Sequence, residues 1–581
     1  MLEGIAKLKV IGLIIEEIYS DFARDMIRSI QGAMTQHKNL RLVVLEGKRI
    51  RPEESDNVIA YNAVYNTMHN FCALCDFDGF IIHPGSLYLN REKTGLETEK
   101  ISKIPKVFIA ANMEDEITVN FDNESGIREA IDYLINAKGC TNICMLGGRD
   151  NNIDAALRKQ IFMDCLAENE IPFSEDKYQR TDMSEFCVEE AGELLDRNPG
   201  VEAIFCVNDA SAKGLYQAMR QRNLEPGRDV YVFGFDNTHL ADEMQPTLSS
   251  IGAYGITPGA MALNLLVKMM DEEEVHSELI PTRLYGRESY DYEMYDDSLL
   301  GRKANTDDYV SKMFDECFYR YKNITFSREI VNLKKLFGEI GKGIFDAIRN
   351  SYLSPEDSDA IERKIDRFFE KGAMEYTDAA KFLRSIEKMQ KGLNMMKCSS
   401  GTKMMISKLF MRMKERAIIN LSLEKVYLAR IHNIKRNKLQ DFLVAGTVYA
   451  ENIDDGLQPL VKNLSLVGLE NSILYIFDEH IKYRAGEKLA FPETIRLRAV
   501  IRNGEMFLPS KERMNCLIKT LFYRDELGQG DEAYAVYPLF CSNLIYGIML
   551  SRISNEIFDR GEFLALQLSR TLYINDMSTK N

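Results

Sequence analysis

The chain has 581 residues, 45% of them hydrophobic and 28% charged, which is the composition of a folded globular protein rather than a disordered or fibrous one. At about 150 residues per domain, this length predicts three or four domains. The formal net charge of −15 opposes a large nucleic-acid-binding surface, because such a surface needs clustered lysine and arginine to displace counterions from phosphates.

The N-terminus and the cysteines together indicate a cytoplasmic protein. The short apolar run VIGLII is followed by two glutamates, so the hydrophobic region and cleavage site of a signal peptide are missing. No uninterrupted apolar stretch of about 18 residues could span a bilayer. The eleven cysteines show no framework spacing, which favours reduced core thiols. The pair Cys72 and Cys75 lacks a second Cys or His pair at the spacing of a zinc site. We therefore expect both cysteines to occupy buried helix positions. We predict no metal and no cofactor.

From Lys9 onward, short β-branched runs alternate with amphipathic stretches. This pattern predicts parallel strands joined by crossover helices. The first four strands are predicted at KVIGLII, LRLVVLE, GFIIH and KVFIAA, and they make one α/β lobe over about residues 5–115. A second α/β lobe is predicted from NICMLGG, AIFCV and VYVFGF, followed by the extended segment ELIPTRLYG. The Tyr- and Asp-rich SYDYEMYDDS is interpreted as a linker.

Residues 306–420 are predicted to be mostly helical. One apolar stripe has the spacing of a helix face that is buried in a core or in a dimer seam. Its members are Ile330, Leu333, Phe337, Ile340, Ile344 and Ile348. Ser354 and Pro355 are predicted to begin a new helix, and CSSGTK near Gly401 marks a second break.

From about Leu421 the pattern predicts strands again, now separated by turns. The predicted strands are VYLARIH, FLVAGTVYA, SILYIFDEHI, TIRLRAVI, AYAVYPLF and LIYGIMLSRI. A closing helix is predicted from Asp559 to Tyr573. These elements predict an antiparallel sheet backed by helices, in a third and separate domain.

Two stretches of the first half resemble the ligand-binding core of lactose/galactose-repressor (LacI/GalR) regulators. In VNFDNESGIREAIDYLINAKGCTNICMLGGRDNNIDAALRKQIF, a strand ending in Asp-Asn precedes a helix, a glycine, a strand and an arginine-bearing helix. The second stretch runs from NPGVEAIFCVNDASAKG through VYVFGFDNTHL to MALNLL. The resemblance covers residues 9 to about 287. It implies a two-lobed, periplasmic-binding-protein-like type I sensor over residues 1–295, with parallel sheets flanked by helices.

The later region resembles the GAF-like module of bacterial proteins that place a LacI-like sensor ahead of a GGDEF diguanylate cyclase. The resemblance is carried by NSILYIFDEHIKYRAGEKLAFPETIRLRAV and AVYPLFCSNLIYGIMLSRI. It implies a linker and helical connector over residues 296–420 and a GAF-like α+β domain over residues 421–581. The helix-turn-helix of DNA-binding members and the Gly-Gly-Asp/Glu-Glu-Phe signature of cyclases are both expected to be missing.

In open α/β sheets, ligands bind outside the carboxyl ends of the strands, so polar residues that follow strands are candidate contacts. On the first lobe these are Tyr19 and Ser20 after the first strand, and His83 after the third. On the second lobe they are Asp154, Arg158, Asn208, Asp236 and Asn237. The resemblance implies that Arg158, Asn208 and Asp236 hydrogen-bond the effector. Such donors and acceptors suit a polyhydroxylated ligand, and the ring of Tyr19 suits a sugar or base face.

Several of these candidates, and Asp209 beside Asn208, have a structural alternative. Asp209 and Asn237 could cap the helices that they precede, and Arg158 could pair with Asp164 or Glu168. GGRDNN lacks the lysine and glycine spacing of a P-loop, so a strand-to-helix turn is expected there. The histidines show no arrangement typical of catalysis. The basic run ARIHNIKRNK is expected to be a solvated turn.

The sequence therefore predicts a cytoplasmic signalling protein that is not an enzyme. It binds a small polar ligand, sugar- or nucleoside-like, between two lobes. It relays the state through the helical connector and the GAF-like domain to a downstream signalling partner. A homodimer is expected, because sensors of this kind associate through their lobes. Contact with a membrane, or with nucleic acid through this chain alone, is not expected. The alternatives are a LacI/GalR-type transcriptional regulator, an exported solute-binding protein and the truncated sensor half of a diguanylate cyclase.

Overall fold

The structure is a computed structural model. It describes residues 8–290, 306–318, 328–447 and 469–579, apart from gaps at 38, 49, 51–54, 84–98, 112, 114, 150–151, 378, 395–396, 488 and 529. The chain divides into two compact units, of which the first combines Met1–Tyr292 with Lys438–Asn581 and the second is Glu293–Asn437. Most of the predicted linker SYDYEMYDDS lies outside the described residues.

The first lobe consists of buried parallel strands that alternate with helices. Its elements are β1 (Lys9–Glu16), α1 (Asp21–Met34), β2 (Leu40–Gly47), α2 (Asp56–Tyr65), α3 (Asn70–Leu74), β3 (Gly79–Ile82), α4 (Glu99–Ser102), β4 (Lys106–Ile109) and β5 (Ile117–Phe121). The strands pair in parallel in the order β5-β4-β3-β1-β2. They are nearly continuous apolar runs, as expected for strands covered on both faces. The first four predicted strands are therefore confirmed.

The second lobe is a six-stranded sheet with helices on both faces. The chain continues with α5 (Asn123–Asp132), β6 (Ile143–Gly147), α6 (Ile153–Glu168), β7 (Tyr178–Arg180), α7 (Val188–Arg197), β8 (Ala203–Cys206), α8 (Asp209–Gln221), β9 (Tyr231–Phe235), α9 (His239–Glu243), β10 (Ser249–Ala253), α10 (Pro258–Met270), β11 (Glu278–Ile280) and β12 (Thr282–Tyr285). The sheet order is β12-β10-β9-β8-β6-β7, and only the β10–β12 pair among these is antiparallel. β11 returns to the first lobe, where it pairs in parallel with β5. The two-lobed α/β prediction is confirmed.

The second compact unit is helical, as predicted. Its helices are α11 (Thr306–Cys317), α12 (Arg328–Arg349), α13 (Pro355–Glu370), α14 (Ala379–Asn394) and α15 (Ser400–Thr447), the last of which continues beyond the unit. The six apolar residues of the stripe on α12 are all buried in the core of this unit. The stripe is therefore a core face, not a dimer seam. Ser354 caps α13 as predicted, because its Oγ accepts from the backbone N–H of Asp357 at 3.0 Å.

The predicted strands VYLARIH and FLVAGTVYA are wrong for the residues that the structure describes, because α15 runs through both as far as Thr447. Between Gly401 and Gly446 the sequence contains no glycine or proline and is rich in Lys, Arg, Met and Leu. These helix-forming residues outweigh the few β-branched ones. The basic run ARIHNIKRNK is helical rather than a turn. Even α15 lacks the apolarity of a bilayer span, as does every other helix in the described ranges.

The C-terminal region forms an antiparallel sheet with a long closing helix, as predicted. Its elements are β13 (Ser472–Lys482), β14 (Thr494–Arg502), β15 (Glu505–Phe507), α16 (Lys511–Met514), β16 (Asn515–Leu517), β17 (Glu532–Cys541), β18 (Leu544–Arg552) and α17 (Asn555–Thr579). The strand order is β17-β18-β13-β14-β15, and β16 also pairs with β14. All of these pairs are antiparallel: β17–β18, β18–β13, β13–β14, β14–β15 and β14–β16.

This sheet is not separate from the first lobe, which corrects the expectation of a third, separate domain beginning at residue 421. β17 pairs in parallel with β2, from Arg41 opposite Glu532 to Leu45 opposite Val536. The two sheets therefore form one twelve-stranded sheet. Without β17, the outer edge of β2 would leave its backbone N–H and C=O groups unpaired. The C-terminal region covers that edge.

All eleven cysteines are free thiols, and nine of them are buried. Cys72 lies on α3 and Cys75 follows it directly. Burial raises the pKa of both thiols, so both favour the neutral form. The two residues occupy the buried positions that the sequence predicts.

Candidate functional site

Arg158 is the centre of a buried polar cluster at the carboxyl ends of the second-lobe strands. It lies on α6 and is only 3% exposed. Its Nε donates to Asn123 Oδ1 at 2.9 Å, and its Nη1 donates to the carbonyl of Val207 at 2.7 Å. The guanidinium carbon also lies 3.5 Å from the ring centroid of Phe235, a close cation–π contact. These contacts hold the guanidinium in one orientation.

The alternative pairing of Arg158 with neighbouring acids is not what the structure shows. Asp164 accepts from Gln160 at 2.8 Å, and Glu168 accepts from Arg128 at 2.6 Å. Both acids lie on α6, but their partners are exposed surface side chains. The Arg158 guanidinium instead points into the strand-end cluster.

Asp236 faces Arg158 from the loop that follows β9. Its Oδ1 lies 3.5 Å from Arg158 Nη2. Its backbone φ is +95°, a conformation that residues other than glycine rarely adopt. Burial raises the pKa of the Asp236 carboxyl, and the nearby Arg158 opposes this shift. Among the described residues, Arg158 is the side chain that donates to this carboxylate, so acceptor sites remain for a ligand.

Asn123 joins Asp154 to the same cluster, although the sequence analysis did not single it out. Its Nδ2 donates to Asp154 Oδ1 at 3.0 Å, while its own Oδ1 accepts from Arg158. The signal was present, because the Asp-Asn pair follows β5 directly and the strand-end rule applies to it. Asp122 of that pair caps α5 by accepting from the backbone of Glu124 at 3.1 Å.

Asn208 lies beside the cluster as a helix cap. Its Oδ1 accepts from the backbone N–H of Ser211 at 2.9 Å, which caps α8. Its Nδ2 donates to the carbonyl of Met183 at 3.0 Å. Both ends of the amide are therefore engaged by the protein itself. These two contacts use one of the two N–H groups and one of the two acceptor sites of the amide.

Asn237 is not a helix cap, which answers the alternative raised for it. Its Oδ1 accepts from Arg287 Nη2 at 2.8 Å, and its backbone N–H donates to Ser250 Oγ at 3.0 Å. Its φ is +48°. A Cβ on Gly252 would lie 2.3 Å from the Cβ of Asn237, so this loop requires glycine at position 252. The loop after β9 is therefore held closely by the neighbouring strand β10.

Asp209 lies beneath this loop and is fully enclosed. Its Oδ2 accepts from the backbone N–H of Thr238 at 2.7 Å, and its Oδ1 accepts from Ser250 Oγ at 2.5 Å. Burial, and then the nearby Asp236, raise the pKa of Asp209 to about 7. Asp209 supports the Asp236 loop from the start of α8 rather than capping that helix.

The remaining candidates lie on the first lobe. Tyr19 follows β1 and is 46% exposed. Ser20 caps α1, because its Oγ accepts from the backbone of Ala23 at 3.3 Å. His83 follows β3, and its ring centroid lies 5.1 Å from that of Phe22. The structure thus unites Asp154, Arg158 and Asp236 in one cluster and places Tyr19, Ser20 and His83 at strand ends of the other lobe.

The chemistry of the cluster is that of recognition by hydrogen bonds. It offers an oriented guanidinium and a carboxylate with free acceptor sites, which together match hydroxyl groups that donate and accept. In the ranges that the structure describes, no group of three or more His, Cys, Asp or Glu side chains could hold a metal ion.

Comparisons with known proteins agree with this architecture. Residues 131–290 match the family model of the periplasmic binding protein-like domain. Catabolite control protein A of Priestia megaterium is 26% identical over 291 residues, which cover 49% of this chain and 82% of that protein. The HTH-type transcriptional regulator DegA of Bacillus subtilis is 33% identical over 178 residues, which cover 30% of this chain and 52% of that protein. The chain therefore spans about half the length of DegA.

Among solved structures, a complex of the transcriptional regulator CelR with cellobiose aligns at 20% identity with a TM-score of 0.41. The alignment covers 49% of this chain and 86% of that chain. The matched domain model and the relatives agree with the resemblance seen in the sequence. The first half of this chain is therefore similar to LacI/GalR-type regulators, and within it residues 131–290 match the periplasmic binding protein-like domain.

Proposed function

We propose that this protein binds a small polar ligand, sugar- or nucleoside-like, between its lobes at Arg158 and Asp236. The observation that carries the proposal is the pairing of a buried, oriented guanidinium with a partly exposed carboxylate at 3.5 Å. A buried ion pair of this length gives the fold little net stabilisation, because desolvation offsets the attraction. A ligand hydroxyl that contacts both groups would gain two charge-assisted hydrogen bonds.

The proposed ligand class follows from the groups that remain available. Arg158 Nη2 can donate and the Asp236 carboxylate can accept, which suits neighbouring hydroxyls of a sugar or a ribose. Tyr19 would supply an aromatic face from the first lobe. Asn208 would hydrogen-bond the ligand with the second N–H or second lone pair of its amide, while its other contacts hold the carbonyl of Met183 and cap α8. No covalent chemistry is proposed, and the protein acts as a sensor rather than an enzyme.

We further propose that the protein is a cytoplasmic homodimer. In this proposal the ligand-bound state is relayed through the helical connector and the C-terminal GAF-like domain to a signalling partner. The continuous sheet between β2 and β17 supports a mechanical link between the first lobe and the C-terminal region. A second candidate function is transcriptional regulation, which is favoured by the similarity to the transcriptional regulator DegA. The net charge of −15 argues against direct duplex binding by this chain.

A thermal-shift screen of the full chain against sugars, nucleosides and related metabolites tests the proposal. A ligand that binds only the folded state raises the melting temperature by mass action. The expected hit gives a clearly smaller shift in Asp236→Asn and the full shift in Asp229→Asn, a matched surface variant whose native carboxylate pairs with Arg228. A hit that shifts both variants equally would place the site elsewhere. Selection of a defined operator from genomic DNA at nanomolar affinity would instead favour the regulator.

A further inference from the structure

A second buried cation lies at the carboxyl end of β2, on the first lobe. The ammonium of Lys48 contacts Glu46 Oε1 at 2.9 Å and Glu562 Oε2 at 2.6 Å. Lys48 is 7% exposed and Glu46 is 1% exposed. Glu562 belongs to the closing helix α17, so this ion-pair cluster joins the first lobe to the C-terminal region.

Two tyrosines complete the cluster and fix its carboxylates. Tyr65 donates to Glu46 Oε2 at 2.7 Å, and Tyr61 donates to Glu562 Oε1 at 3.0 Å. Burial opposes the charge on Lys48, but Glu46 and Glu562 outweigh it and raise the pKa of the ammonium. Lys48 therefore remains charged, and it is held by one carboxylate from each region.

The same cluster holds the segment that carries Tyr19. Glu46 Oε1 accepts from the backbone N–H of Ile18 at 3.2 Å. The Lys48 ammonium lies 4.8 Å from the centroid of the Tyr19 ring, within the range of a cation–π contact. The position of the Tyr19 ring thus depends on an ammonium that Glu562 helps to hold.

Helix α17 has further anchors near this point, so Glu562 does not hold it alone. Arg24 on α1 donates to Asp559 Oδ1 at 2.7 Å, and Arg28 donates to Asn555 Oδ1 at 3.1 Å. Both guanidinium groups also lie within 6 Å of the Phe558 ring, at 5.4 and 5.8 Å. Removal of the Glu562 charge should therefore leave the helix docked while it removes one of the two carboxylates that hold Lys48.

We propose that Glu562 is a positioning residue for the ligand site: through Lys48 it fixes the ring of Tyr19, so that helix α17 and the ligand site are coupled. This inference rests on the proposed function for the role of Tyr19. Coupling between two sites is reciprocal, so a ligand that stacks on Tyr19 shifts the contacts of α17 by the same free energy. The contacts of helix α17 therefore change when a ligand binds against Tyr19.

The chain contains no tryptophan, so Tyr19→Trp places a single tryptophan at the ring position in question, and its emission can be excited selectively over that of the tyrosines. Quenching of this tryptophan by acrylamide, a neutral probe, measures how freely the ring is exposed. Tyr19 is 46% exposed, so full release of the ring would raise the quenching constant by about twofold. We expect this rise when Lys48→Met is added to Tyr19→Trp, and a smaller rise with Glu562→Gln, because Glu46 still contacts Lys48 in that variant. The Lys48→Met variant provides a second test should Glu562→Gln fold poorly.

The matched control is Asp576→Asn. Asp576 also lies on α17, but it contacts Tyr546 at 3.3 Å and His480 at 3.1 Å within the C-terminal region. Its removal should leave the quenching constant unchanged. An unchanged constant in Glu562→Gln would overturn the inference, and so would an equal rise in Asp576→Asn, which would indicate general loosening. Quenching needs no ligand, so a ligand screen without hits would contradict the proposed function and not the coupling.

Discussion

The two lobes each bury one cation at the carboxyl ends of their strands, but they complete its contacts in different ways. Arg158 finds its partners within the second lobe, at Asn123, Val207 and Asp236. Lys48 needs Glu562, which is 514 residues away along the chain. The second lobe therefore contains a self-sufficient recognition cluster, whereas the first lobe has a cluster that is complete only when the C-terminal region returns. This difference fits the proposed site, in which the second lobe would supply the hydrogen-bonding groups and the first lobe would couple the ligand to the C-terminal region.

The largest expected effect is on stability and comes from substitution of Arg41, which attaches the C-terminal region to β2. Its guanidinium is fully buried and donates to the carbonyls of Phe522 and Gly528, each at 2.6 Å. Arg41→Met leaves these buried carbonyls without a donor, so we expect a loss of about 2 to 5 kcal/mol in the free energy of unfolding. Urea denaturation followed by circular dichroism measures the loss.

Arg128→Met is the control for Arg41→Met, because Arg128 makes ion pairs with Glu124 and Glu168 on the surface. We expect a much smaller change from it. Hydrogen exchange of the Arg41 variant should also show faster exchange in β2 and β17 and unaltered exchange in β6 and β8. Equal loss of protection in both lobes would contradict the self-sufficiency of the second lobe.

The next largest effect concerns the recognition cluster itself. Asp236→Asn keeps a residue that tolerates positive φ and removes only the charge. Hydrogen bonds to charged groups contribute roughly 1.5 to 3 kcal/mol, so the affinity for the ligand found by thermal shift should fall about 10- to 150-fold. Arg158→Ala should weaken binding within the same range. Titration calorimetry with the folded variants measures the two affinities. If both variants bind the ligand as tightly as the wild type, Asp236 and Arg158 do not belong to the site.

The polar contacts of the second lobe were easier to predict from the sequence than those of the first lobe. Arg158, Asp154 and Asp236 follow strands in a motif order that resembles a known family, and local spacing places them on one sheet edge. Asn123 also follows a strand, so the same rule could have identified it as a site residue. The contact of Lys48 with Glu562 left no local signal, because a parallel pair such as β2 and β17 can join segments at any sequence separation.

The strands predicted in α15 failed for a related reason. Short β-branched runs such as VYLARIH fit a strand locally, and only the long stretch without glycine or proline favours one continuous helix. The GAF-like resemblance of the C-terminal region remains a prediction. What no sequence pattern indicated was that this region shares a sheet with the first lobe.

A smaller effect tests how tightly the Asp236 loop is held. Gly252→Ala would place a Cβ 2.3 Å from the Cβ of Asn237, and overpacking of this kind typically costs about 1 to 3 kcal/mol. We expect lower stability and weaker ligand binding together. Gly32→Ala is the opposite control, because Gly32 is a helical position on α1 with open space, where alanine should stabilise by about 0.5 to 1 kcal/mol. Thermal unfolding of the two variants should shift in opposite directions.

The last expected effect is a pH dependence that arises at Asp209 in the second lobe. The pKa of Asp209 is raised from the model-compound value of 3.8 to about 7, first by burial and then by the neighbouring Asp236. Between about pH 4 and pH 7 the folded protein thus holds a proton that the unfolded chain has lost. Its contribution to stability is greatest below pH 4 and decreases as the pH rises to 7. Asp209→Asn removes this titration, so the stability of the variant relative to the wild type should increase from pH 4 to pH 7. The urea midpoints of the wild type and of Asp209→Asn, measured between pH 4 and pH 7, test this prediction. If the two midpoints change with pH in parallel, Asp209 is ionised throughout.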